Sequence, residues 1–288
     1  MDEIDWEKVR KKGEEIFLNP NKTYSYSEII EGTKVKGNSC KKKYSAVSGN
    51  TFRGFTRKNK KGASEAYKRF FLNNEELVIK RLRGAYHPED ILRLEEYILE
   101  QVKEELKGII IENKLNSYNR LRKPIDLYIE HLVAMDNKLN KEDKKRLVPL
   151  LFLPLDSQLF SSEIFIDFTN ENEPKLDASL KKEEFTDDFQ KKLKSLTSKI
   201  RWKNYNEKMK QFKEEEIQKE PDKPTISYGE LTDKKDYILL QKFIKIKAKN
   251  KSRDFYPIYF DLLWGKKVAR YETSGRNLFE TNLGEKDE

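Results

Sequence analysis

The sequence has one cysteine and two histidines among 288 residues. A lone Cys40 forms no internal disulfide and supplies no cysteine-rich zinc site, which points to a reducing compartment. His87 and His131 leave too few imidazoles for most histidine-based metal centres. Long apolar runs are missing as well. No stretch approaches the roughly 18 to 20 residues a bilayer-spanning helix requires, and residues 1–30 lack the apolar centre of a secretory signal. A cytoplasmic protein with no membrane partner is the expectation. The phosphate loop Gly-x-x-x-x-Gly-Lys-Ser/Thr, the Gly-x-Gly-x-x-Gly turn and the Gly-x-Ser-x-Gly elbow are all absent. Nucleotide hydrolysis and serine-based acyl transfer by those routes have no support.

The most informative deficit is local. Residues 32–64 contain no acidic side chain, although about one residue in six along the chain is Asp or Glu. The same segment holds Lys34, Lys36, Lys41, Lys42, Lys43, Arg53, Arg57, Lys58, Lys60 and Lys61, interleaved with Tyr44, Phe52 and Phe55. The chain carries 59 Lys plus Arg and 50 Asp plus Glu, a formal net charge of +9. By position, residues 1–86 hold about 20 basic and 11 acidic groups, and residues 87–288 hold about 39 of each. The first third therefore owns the entire net charge. Such a segment concentrates anions and gains free energy by releasing counterions from a phosphate backbone. Nucleic acid is the partner this predicts, double-stranded DNA first and RNA as the alternative. A solubilising basic stretch is the plainer reading.

Periodicity predicts a mostly helical chain. Residues 4–17 carry Ile4, Val9, Ile16 and Phe17 among charges, and Asn19-Pro20-Asn21 ends that helix. Ser25-Tyr-Ser-Glu28 is a capping-box pattern, with Gly32 just past the short helix it opens. Residues 40–48 predict a basic helix and residues 51–56 alternate as a strand does. Residues 63–83 read as one or two helices. Ile91, Leu94, Ile98, Val102, Leu106 and Ile109 form the clearest helical stripe. Pro124 is expected to open another helix, with Ile125, Ile129, Leu132 and Val133 inward. Residues 141–155 predict a short helix, a kink and a buried turn, and residues 163–168 a strand. Residues 186–219 form a charged helix, followed by the linker-like Glu220-Pro-Asp-Lys-Pro224. Residues 237–247 and 255–264 predict a β-hairpin. The expected class is α+β, predominantly helical. A basic region (1–86), a helical centre (87–219) and a β-rich C-terminal segment (220–288) divide it.

Helix, short helix, basic helix and basic hairpin over about 60 residues together resemble a winged helix-turn-helix DNA-binding module. The resemblance implies that Lys41, Lys42, Lys43 and Tyr44 lie on a recognition helix and that Arg53, Arg57 and Lys58 contact phosphates from the wing. The turn from Gly32 to Gly37 is longer and more basic than that motif usually has.

Carboxylates were weighed for Mg²⁺-dependent hydrolysis, in which acidic groups hold the metal and a lysine assists the attacking water. Two patterns resemble PD-(D/E)xK nucleases. Pro221-Asp222 with Asp233-Lys-Lys235 fits the spacing, but Asp233 stands in a charged turn. Gly108-Ile-Ile-Ile-Glu112-Asn-Lys114 offers β-branched residues leading into Glu112 and Lys114, without the preceding strand. Asp126 and Glu130, four residues apart, share a helix face and can act as metal ligands or an acid/base pair. Asp156 follows an apolar run and reads as a metal ligand or a helix N-cap. Three readings follow. The leading one is a sequence-specific, Mg²⁺-dependent DNA endonuclease of restriction type. The second is a non-enzymatic DNA-binding protein in which residues 186–219 serve homodimerisation, and the third is an RNA-binding accessory protein.

Overall fold

Asp5 and Ser25 start the first two helices by supplying side-chain oxygens to otherwise unpaired amides. In the computed structural model, α1 (Trp6–Phe17) begins where the Asp5 carboxylate accepts from the Lys8 amide at 3.0 Å. Ser25 and Glu28 close the reciprocal box expected at the head of α2 (Tyr26–Glu31). The structure describes residues 4–34, 43–44, 46–47, 49–52, 55, 62–156, 159–162, 164–167, 175–177, 185–196 and 231–263.

The elements that follow are α3 (Ala63–Asn73), α4 (Glu75–Arg83), α5 (Pro88–Leu106), the one-turn α6 (Glu112–Leu115), α7 (Tyr118–Met135) and α8 (Lys141–Leu147). Later come α9 (Asp187–Leu196) and α10 (Lys234–Lys249), and a 3-10 stretch at Pro257–Leu263. Helix α7 is the axis of the molecule. Every residue from 121 to 135 is buried, the mark of a helix covered on all sides. It packs against α1, α2, α5, α8 and α10. Helix α5 buries the expected stripe of Ile91, Leu94, Ile98, Val102 and Leu106. One continuous hydrophobic cluster runs from Ile4 to Phe260 and takes residues from nearly every element.

The ends of the described chain meet. Gly13 of α1 approaches Tyr259 so closely that a Cβ there would lie 2.5 Å from the ring. Trp6 receives Phe255 and Phe260 edge-on at 5.9 and 5.8 Å. After the 3-10 turn Val148–Leu150, residues 151–156 form no helix or strand and, Phe152 apart, are buried. The Gln241 amide pairs with both backbone groups of Leu153, accepting at 3.0 Å and donating at 2.8 Å. A side chain thereby replaces a neighbouring strand.

Several expectations are corrected. The described strands are two antiparallel ladders of two residues each, β1 (Thr33–Lys34) with β2 (Lys43–Tyr44) and β3 (Ile166–Asp167) with β4 (Lys175–Leu176). The α+β class with a C-terminal β-hairpin gives way to a helical one. Residues 234–249 are helix because Tyr237, Leu240, Phe243, Ile244 and Ala248 recur at three to four residues and line one buried face. Pro257 then opens 3-10 turns where the second strand was expected. Lys43 and Tyr44 lie in β2, not on a recognition helix over 40–48, and Gly49–Phe52 is 3-10 rather than strand. Pro124 stands inside α7, where it removes one backbone bond without ending the helix. Residues 109–111 form no strand, and Ile111 precedes α6. The linker-like run at 220–224 and most of the 186–219 helix lie outside the described residues.

Candidate functional site

The acid-free segment is paired with itself near its start and anchored on the helical body further along. At its start, β1 pairs with β2 in the register Thr33↔Tyr44 and Lys34↔Lys43. Further along, Ala46, Val47, Phe52 and Phe55 are buried. Phe52 and Phe55 pack on each other at 5.5 Å and on Tyr67 of α3 at 5.5 and 6.1 Å. Tyr67 donates its hydroxyl to the Leu121 carbonyl of α7 at 2.8 Å. Phe52 and Phe55 are therefore anchors, and Gly62, at φ +141°, carries the chain into α3. Of the predicted contacts, Lys34, Lys43 and Tyr44 are placed by this ladder. Lys36, Lys41, Lys42, Arg53, Arg57, Lys58, Lys60 and Lys61 lie outside the described residues.

The candidate carboxylates go elsewhere. Asp126 is 1% exposed and both its oxygens are engaged. Oδ1 accepts from Arg122 Nε at 2.8 Å and Oδ2 from the Tyr237 hydroxyl at 2.8 Å. The Arg122 guanidinium, itself wholly buried, also pairs with Glu95 of α5 through Nη2 and donates to the Tyr118 hydroxyl at 3.0 Å through Nη1. The rings of Tyr237, Phe152 and Tyr118 surround it at 5.2, 5.4 and 5.9 Å. Glu96 closes the outer edge, 3.5 Å from Arg122 and bonded to Lys234 of α10 at 2.6 Å. Burial pushes the Asp126 carboxyl up to about 6 against the pull of Arg122. The same burial raises Glu95 well above the carboxylate range, again opposed by Arg122. One cation thus serves two interior carboxylates and ties α5, α7 and α10 together.

No family model, curated protein or solved structure matches this chain.

Glu130 lies one turn beyond Asp126 and is equally buried, at 1% exposure. Asp156 caps the following turn, accepting from the Leu159 amide at 3.0 Å, and its other oxygen pairs with Lys123 at 3.3 Å. Its N-cap reading is the one this geometry matches. Glu112 is exposed on α6, with Lys114 half-buried beside it. Burial, with Arg120 nearby, holds Lys114 below the usual lysine range. Glu112 and Lys114 at the surface are thus separated from Asp126 and Glu130 in the interior. Asp233 caps α10, accepting from the Lys235 amide at 2.6 Å. Among the described residues, no three His, Cys, Asp or Glu side chains are grouped to hold a metal ion. No helix among them is long and apolar enough to cross a membrane.

The partners that decide Asp126's role, Arg122, Glu95 and Tyr237, were absent from the predicted site. One signal was available. Glu95 falls on the buried stripe of α5 between Leu94 and Ile98, where an acidic residue demands a cation.

Proposed function

We propose that this protein binds double-stranded DNA through the acid-free segment 32–64 and acts as a binding protein rather than a hydrolase. The observation that carries the reading is the segregation of charge. The net +9 belongs to residues 1–86, and ten lysines and arginines of that region fall in a segment without a carboxylate. The buried Phe52 and Phe55 support it, because their packing on Tyr67 joins the cationic segment to the helical body. A tethered cation cluster loses less entropy on meeting a phosphate backbone than a free tail does. The cytoplasm, with its free nucleic acid and reduced thiols, is the setting proposed for it.

Asp126 and Asp156 favour binding over Mg²⁺-dependent cleavage. The first has both oxygens bonded inside the protein, and the second caps a turn and pairs with Lys123. Incubating the full chain with several unrelated plasmids, with Mg²⁺ and then with EDTA, separates the two. The binding reading expects retarded but intact plasmid in both conditions. Discrete Mg²⁺-dependent fragments would overturn it in favour of an endonuclease, and unretarded plasmid would remove DNA as the partner.

A further inference from the structure

On the far side of α4 an exposed aromatic residue is held in an unusual way. Tyr86, 65% exposed, is the large hydrophobic side chain left open among the described residues. Its ring lies on the Arg146 guanidinium, with 4.6 Å between Cζ and the ring centroid. Arg146 is itself fixed, donating to the carbonyls of Ala85 and Leu82 and, at 2.7 Å, to Asp143. The Tyr86 backbone is fixed too, since its amide and that of His87 donate to Asp90 Oδ2 at 2.9 Å each. Ring and backbone are immobilised from one side, and the ring stays open to solvent.

Beside it lies a groove of about 790 Å³ between α4 and α5. Leu77 and Leu94 line it with Lys80, Arg81 and Arg93, and Gly84 brings it to within two residues of Tyr86. Its carboxylates are Glu76 and Asp90. Asp90 is already satisfied by two amides and by Arg93 at 2.5 Å. Lys80 and Arg81 form no ion pair with a carboxylate among the described residues, which leaves the groove's cations in excess of its carboxylates. The Arg81 guanidinium stands over the Tyr97 ring, with Cζ 4.6 Å from its centroid, a donor fork beside the groove.

We infer that this surface binds single-stranded nucleic acid, one base stacking on the open face of Tyr86 while the adjacent phosphates lie along Lys80 and Arg81. A π-face backed by a guanidinium, next to a cationic groove with an apolar floor, matches unpaired nucleotides in shape and charge. Duplex DNA, whose bases are already stacked, gains nothing from Tyr86. The inference extends the nucleic-acid reading to a second surface.

Fluorescence anisotropy of the full chain with labelled oligo(dT) of about twelve nucleotides, and with a duplex of the same length, tests it. Tyr86→Ala is expected to weaken oligo(dT) binding roughly tenfold and to leave duplex binding unchanged, while Tyr86→Phe binds both like the parent. Arg81→Ala is expected to weaken oligo(dT) alone. Equal oligo(dT) affinity for the parent and Tyr86→Ala overturns the inference, as does a parent that binds only duplex. That second result leaves the proposal for segment 32–64 standing. Oligo(dT) binding that needs Tyr86, without duplex binding, supports this surface and sinks the other.

Discussion

Arg122 shows how a residue-scale reading of charge can mislead. Asp126 and Glu130, four apart on a helix, have the spacing of an acid/base pair, and that spacing was legible. Their role was not, because it depends on partners remote in the chain. Arg122 and Glu95 are 27 residues apart, and Asp126 and Tyr237 are 111 apart. In the fold these groups form a buried ion cluster, in which the loss of one member leaves charge uncompensated. Arg122→Met alone is therefore expected to cost about 3–5 kcal/mol in urea unfolding. Adding Glu95→Gln and Asp126→Asn to it should recover most of that loss, since the two fully buried carboxylates are then neutral and Glu96 keeps Lys234. A triple variant no more stable than the single one would show that the cluster is not held by charge. Gly13 is a second residue whose environment overrides its propensity. Helix propensity predicts that alanine gains about 1 kcal/mol there. The Tyr259 ring, 2.5 Å from the added Cβ, should reverse the sign, with Gly13→Ala destabilising by about 1–3 kcal/mol. A thermal melt reads the sign directly.

At the scale of elements, helices announced by caps and one-sided stripes were the legible ones. Ser25 with Glu28 and the Ile91-to-Leu106 stripe each predict a helix that forms. The sequence of α10 also fits a strand because its β-branched and aromatic residues satisfy both periods, and the buried face decides only once α7 is in place. The recognition helix failed for the converse reason. A run of lysines carries no apolar stripe, so pairing of Lys43 and Tyr44 with Thr33 and Lys34 prevails. The cap of α5 offers a test of pH dependence. The amides of Tyr86 and His87, together with Arg93, lower the Asp90 carboxyl to about 2 from an ordinary 3.8. A carboxyl depressed in the folded state stabilises above its unfolded value and loses that contribution as pH falls through the folded one. Asp90→Asn should therefore be less stable than the parent at neutral pH and should lose less stability between about pH 4 and pH 2. Parallel stability profiles for the two proteins across that window would rule out the cap as the cause.

For the whole molecule, the separation between a neutral helical body and one cationic segment matters most. Segregation was fully legible in the sequence, since counting charges needs no fold. What the fold adds is attachment. Phe52 and Phe55 reach Tyr67, and Tyr67 reaches α7, so the cationic segment is continuous with the core. Asp126 of α7 has both its oxygens bonded within that core. On the proposed reading, binding strength depends on how many phosphates the segment engages. The direct measurement is the salt dependence of duplex-DNA affinity for the parent and for the Lys41→Ala, Lys42→Ala, Lys43→Ala triple variant. Each phosphate contact contributes about 0.9 to the slope of log K against log salt. The triple variant should bind more weakly, with a slope shallower by about 2 to 3. An unchanged slope and affinity would contradict a DNA interface in residues 32–64.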